Sequence, residues 1–227
     1  MPLIQIQKIN QDTSWSLWHI QEDSQKLLEM LSLPEQAGIY WEEISHEARK
    51  CEAIASRLAL KALLAQQAIP YLGIEKDDCQ KPFLINQSYH ISLSHTQDYA
   101  VAILNTQMST GIDIEWVKPK VRKIARKFLS ITELDDARED IEKLTVYWAA
   151  KEALYKLYGR KKIIFRENIH IKPFLLGVQG ELTGVLQIPN LPIQYYQLRY
   201  QKLENRYVCY VCKSLTGEAV QKHNLLT

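Results

Sequence analysis

A chain of 227 residues exceeds the usual size of one domain, so one large domain or two half-sized lobes are both open. With 46% hydrophobic and 24% charged residues it has an ordinary globular composition and enough apolar content for a substantial core. Its net charge of +2, from 28 basic against 26 acidic residues, lacks the concentrated basic excess of a nucleic-acid binder, although a local patch could still meet one phosphorylated ligand.

In chain order, Ile4 to Ile9 and Trp15 to Ile20 read as two short strands around the polar turn Asn10 to Ser14. Ser24 to Leu31 is a short amphipathic helix stopped at Ser32-Leu33-Pro34. Ser45 to Ala68 lacks Gly and Pro, and its apolar positions Ile54, Leu58 and Leu60 to Leu64 suit a long packed helix. A polar loop from Gly73 to Lys81 leads to strands at Tyr89 to Leu93, Ala100 to Leu104 and Gly111 to Trp116. The order then repeats. Lys120 to Phe128 and Thr132 to Asp140 are helical, and Ile141 to Tyr158 is a second long helix ended by Gly159, a residue favoured at helix C-termini. Ile169 to Phe174, Gly180 to Gln187, Ile193 to Arg199 and Arg206 to Cys212 read as strands, and a polar, frayed tail starts at Ser214. The class is α+β, with a long helix followed by antiparallel strands in each half. The halves are an N-terminal lobe over 1–105 and a C-terminal lobe over 106–215, with 216–227 as tail.

Cys209 and Cys212 have CxxC spacing but lie in a strand-like run, where alternation puts them on opposite faces; core cysteines fit better than a zinc site. Met1 to Asn10 lacks the charged-then-apolar order of a signal peptide, and no apolar run approaches the roughly 20 residues that span a bilayer. A cytoplasmic protein is expected, without nucleic-acid or membrane partners.

Three stretches carry candidate chemistry. In Gly111-Ile112-Asp113-Ile114-Glu115-Trp116, alternation projects Asp113 and Glu115 from one face while Ile112 and Ile114 enter the core. Such paired hard oxygens suit Mg²⁺, which takes one or two carboxylates plus water and phosphate. Taken alone, a solvated acidic face explains them as well. In Trp148-Ala149-Ala150-Lys151-Glu152-Ala153-Leu154-Tyr155-Lys156, the residues Trp148, Glu152 and Lys156 share one helical face, with Lys151 about 100° round the axis. The carboxylate could hold a metal and the ammonium groups could neutralise phosphate, or Glu152 and Lys156 could be a surface pair worth about 0.2–0.5 kcal/mol. The surface-pair reading does not explain why Trp148 shares their stripe. In Ile91-Ser92-Leu93-Ser94-His95 the two hydroxyls share a face and His95 ends the strand; they could hold a phosphate or nucleotide, or be ordinary strand-end polarity. Upstream, Arg57 and Lys81 are candidate phosphate contacts or plain surface charges.

The order SxSH, GIDIE, FLSITE, WxxKEAxxK, at Ser92 to His95, Gly111 to Glu115, Phe128 to Glu133 and Trp148 to Lys156, resembles the Sfp-type phosphopantetheinyl transferase superfamily. Arg57 and Lys81-Pro82 match its usual arrangement, so the resemblance runs from about Arg57 to Gly159. It implies two similar α+β lobes forming a pseudo-dimer within a monomeric chain. It also implies transfer of 4′-phosphopantetheine from coenzyme A to a serine of an apo-acyl or peptidyl carrier protein, with Mg²⁺. It assigns Asp113, Glu115 and Glu152 to the metal, Arg57, Lys81, Ser94 and His95 to coenzyme A, and Lys156 to the pyrophosphate. Glu133, Glu152 or a deprotonated Lys151 would accept the serine proton. A coenzyme A or carrier-protein binding module without transfer would not need all three carboxylates. A nucleotide hydrolase is disfavoured by the absence of a GxxxxGK[ST] loop.

Overall fold

The computed structural model describes residues 2–31, 41–160 and 163–215. The Ser32-Leu33-Pro34 helix stop and the tail beyond 215 lie outside them. The fold is α+β, and the chain divides into two compact units, Met1–Ile114 and Glu115–Thr227. The division falls inside a strand rather than at residue 105.

In the first unit, strands β1 (Leu3–Lys8), β2 (Thr13–His19), β5 (His90–Thr96) and β6 (Tyr99–Asn105) form an antiparallel sheet in the order β1-β2-β6-β5. Helix α1 (Ser24–Met30) starts at Asp23, whose carboxylate caps the Lys26 amide at 2.8 Å. Helix α2 (Glu47–Gln66) packs on β2, β5 and β6, burying Ile54, Leu58, Leu60, Leu63 and Leu64 as its period predicts. The Ser16 hydroxyl in β2 donates to the Ala59 carbonyl at 2.7 Å, tying sheet to helix. The stretch read as a polar loop holds a small hairpin, β3 (Ile74–Lys76) with β4 (Pro82–Leu84). Its polar residues Glu75 and Lys76 are exposed while Ile74 and Leu84 are buried, so only half of a very short pattern is apolar.

In the second unit, strands β7 (Ile112–Trp116), β8 (Ile169–Ile171), β9 (Gln179–Leu186), β10 (Gln194–Leu203) and β11 (Arg206–Leu215) form a sheet in the order β7-β11-β10-β9-β8. Two helices, α3 (Lys120–Phe128) and α5 (Ile141–Tyr158), coincide with the expected spans; α4 (Ile131–Ala137) is shorter than expected, and a single turn, α6 (Phe165–Asn168), was not foreseen. Helix α5 crosses β8 to β11. Its start is fixed by Asp140, which accepts from the Glu142 and Lys143 amides, and its end by Gly159 at φ 66°, a left-handed conformation that costs glycine least. The sheet runs on through Leu215, past the expected start of the tail. Cys209 and Cys212 are buried free thiols, Cys212 sitting at a register shift opposite Gln197 and Leu198. Burial pushes the Cys212 thiol up to about 12 and the Cys51 thiol up to about 11, as befits inert core cysteines. Among the described residues no helix is long and apolar enough to cross a membrane.

Candidate functional site

In the first unit the residues expected at coenzyme A are each held by a neighbour. Ser94 lies on β5, and its hydroxyl donates to Asp113 Oδ1 at 2.7 Å. Asp113 is only 3% exposed, which removes the solvated-face explanation for this carboxylate. A buried acid needs a partner, and this one has the hydroxyl. Ser92 Oγ accepts from the Ile112 amide at 3.2 Å, so both serines of the SxSH stretch bond to the GIDIE segment. His95, half-exposed at the end of β5, has its Nδ1 3.1 Å from Glu52 Oε2 on α2. Lys81 Nζ donates to Ser109 Oγ at 2.8 Å; burial draws its pKa below the ordinary lysine range, partly offset by Asp77. Arg57 donates to the Ala53 carbonyl at 2.8 Å and lies 5.0 Å over the Trp41 ring. Glu52 and Ser109 carried no recognisable signal in the sequence.

In the second unit the Trp148 indole Nε1 donates to Glu115 Oε1 at 2.9 Å. That bond joins β7 to the face of α5 that also presents Glu152 and Lys156, each one further turn along. Trp148 meets Phe128 edge-on, with centroids 4.8 Å apart, and is tilted against Phe165 at 5.6 Å. These rings, with Ile124, Lys127, Glu152 and Tyr155, line a groove of about 420 Å³.

The pair expected to handle the serine proton, Lys151 and Glu133, is buried. Lys151 is 0% and Glu133 2% exposed. Lys151 Nζ donates to Glu133 Oε2 at 2.7 Å and to the carbonyls of Phe128 at 2.8 Å and Phe165 at 3.3 Å, which accounts for all three ammonium protons. Glu133 accepts in addition from the Ser130 amide at 2.7 Å and, through Oε1, from the Ile171 amide at 2.8 Å. Burial lowers the Lys151 pKa, while Glu133 acts in the opposite direction. The pair is almost wholly buried and its ammonium is fully hydrogen-bonded. It joins α4, α5, α6 and β8. The spacing Ser130-x-x-Glu133 is a capping box, and both of its bonds are present, so part of the FLSITE stretch has a structural purpose that its spacing could have disclosed.

Among the described residues, no three His, Cys, Asp or Glu side chains gather closely enough to hold a metal ion.

The helix bearing Trp148, Glu152 and Lys156 one turn apart and the strand bearing Asp113 and Glu115 are the segments on which the motif resemblance rests. Residues 109–212 match the model of the family described as the 4′-phosphopantetheinyl transferase superfamily, from just before β7 to Cys212. The resemblance drawn from the motifs is thereby borne out for this segment. The chain is also 37% identical over 78 residues to the 4′-phosphopantetheinyl transferase psf-1 of Bacillus pumilus. That alignment covers 32% of this chain and 33% of the Bacillus protein, so the chain spans about a third of the length of the relative it matches.

Proposed function

We propose that this chain transfers the 4′-phosphopantetheine group of coenzyme A to a serine of an apo-acyl or peptidyl carrier protein, releasing adenosine 3′,5′-bisphosphate. The observation that carries the reading is the Trp148–Glu115 bond, which associates a carboxylate of β7 with the helix face of Glu152 and Lys156. The family match over the same segment supports it.

Carboxylates are the hard oxygen donors that a divalent cation takes, although among the described residues these three do not gather into a metal-binding group. Asp113, Glu115 and Glu152 would hold Mg²⁺, which when bound supplies positive charge to the pyrophosphate. Arg57, Lys81, Ser94 and His95 bind the nucleotide end of coenzyme A, and Lys156 places a positive charge at the pyrophosphate. In the step itself the serine oxygen forms a bond to the pantetheine-side phosphorus. The bond from that phosphorus to the bridging oxygen breaks, and the bisphosphate leaves with the electron pair. Such reactions are catalysed chiefly by positioning and charge neutralisation. Glu152, which lines the groove, accepts the serine proton directly or through water. A base in this role is worth about 10²–10⁴-fold.

Intact-mass spectrometry of apo-carrier proteins incubated with the chain, coenzyme A and Mg²⁺ tests the reading. A gain of one phosphopantetheine per carrier is expected. Coenzyme A binding with unchanged carrier mass would make the chain a binding module and end the transferase assignment.

A further inference from the structure

Lys151 sends two of its three N–H bonds to the backbone, at 2.8 Å to the Phe128 carbonyl and 3.3 Å to that of Phe165. Phe128 closes α3, where a helix leaves its last carbonyls without intrahelical partners. Phe165 opens α6, a turn of four residues too short to hold its shape alone. The same two residues supply rings to the groove: both meet Trp148, and Phe165 also tilts against Tyr155 at 5.3 Å. One ammonium therefore fixes the backbone that carries two walls of the groove. Glu133 fixes the ammonium in turn, and is itself held by the Ser130 and Ile171 amides. Stability does not account for a charged pair at this place, because well-packed apolar residues of similar volume are often as stable or more so. What an apolar pair lacks is direction, since it has no donors to draw two carbonyls to one point.

We infer that Lys151 and Glu133 are positioning residues: the pair is a strut that sets the aromatic walls of the groove beside Glu152. The inference rests on the transferase reading, in which Glu152 takes the serine proton. A misplacement of about 1 Å can cost about 100-fold in rate, so slack in these walls is felt in the chemistry even where the fold survives.

Removing both charges together avoids leaving either one buried without a partner. Lys151→Met combined with Glu133→Gln is therefore compared with the wild type in the full chain, with coenzyme A, Mg²⁺ and an apo-carrier protein as substrates. Urea melts confirm that the protein under test is folded. The kcat should fall by about 10–100-fold while KM for coenzyme A stays within about threefold, the mark of an interaction felt in the transition state. Three results from a folded double variant each overturn the inference: a fall of less than about tenfold, a KM that rises in step with the loss, or no measurable transfer at all. The last of these would make one of the pair the proton acceptor itself. In each case wild-type transfer leaves the reading standing, and a wild-type chain that modifies no carrier removes both. If the double variant does not fold, Phe165→Leu decides alone, because Phe165 is only half-buried and its loss spares the ion pair. A fall in kcat of the same size supports the strut, and an unchanged kcat overturns it.

Discussion

An ammonium group enclosed without water must find three acceptors, and Lys151 finds them in Glu133 and two backbone carbonyls. Each partner has its own further obligations, Glu133 holding the amides of Ser130 and Ile171. Removing one half of such a pair leaves the other charge buried and uncompensated, a loss of about 3–5 kcal/mol. Lys151→Met keeps the length of the stem but removes every donor. It should therefore destabilise the fold by about 3–5 kcal/mol in urea unfolding at neutral pH. A change within half a kcal/mol would mean that the ammonium contributes nothing there, and the strut would have to be abandoned. The contrast with Glu152 is instructive. Two adjacent helix residues point about 100° apart, which sends one into the packed interior and the other to a groove. Sequence spacing alone set Lys151 at the edge of the chemical face, and only the packing around Phe128 and Phe165 discloses that it faces inward.

At the level of elements, helix α5 owes its seat to the sheet beneath it. Gly184, in β9 opposite Tyr196 of β10, lies under this helix. A Cβ there would come 2.5 Å from Leu154 Cδ1 and 2.7 Å from Leu198 Cδ1, closer than real methyl contacts allow. Gly184→Ala should cost about 1–3 kcal/mol through overpacking, and combining it with Leu154→Ala should cost less than the sum of the single changes. Additive costs in denaturant melts would show that the helix does not rest on this position. The elements themselves were largely legible beforehand. Helices α3 and α5 were readable to the residue, α5 with the help of the glycine that ends it. The β3–β4 hairpin and the single turn α6 were not, because so few residues show no period. The site divides in the same way. Its residue types and spacing could be read directly, since a motif is local. The burial of Asp113, its Ser94 partner 19 residues away and the Trp148–Glu115 bond could not, since each is created by pairing of distant segments.

For the molecule as a whole, the proposed function makes a demand that does not depend on any one contact. A ligand that binds the native chain and not the unfolded one stabilises it by mass action, about 2.7 kcal/mol at a concentration of 100 times its Kd. For a chain in this size range, each kcal/mol is worth about 2–4 °C in Tm. Coenzyme A with Mg²⁺ at that concentration should therefore raise the melting midpoint by about 5–11 °C in a fluorescence melt. Chelating the metal should remove much of the rise if carboxylates and cation together receive the pyrophosphate. The near-balanced charge of +2 bears on the control, because it offers no general attraction to phosphate that could mimic specific binding. Free phosphate at the same ionic strength should leave the midpoint within about a degree, a shift worth less than half a kcal/mol. A midpoint indifferent to coenzyme A at millimolar concentration would leave the chain without its proposed donor, whatever its family, and the transfer reading would fall with it.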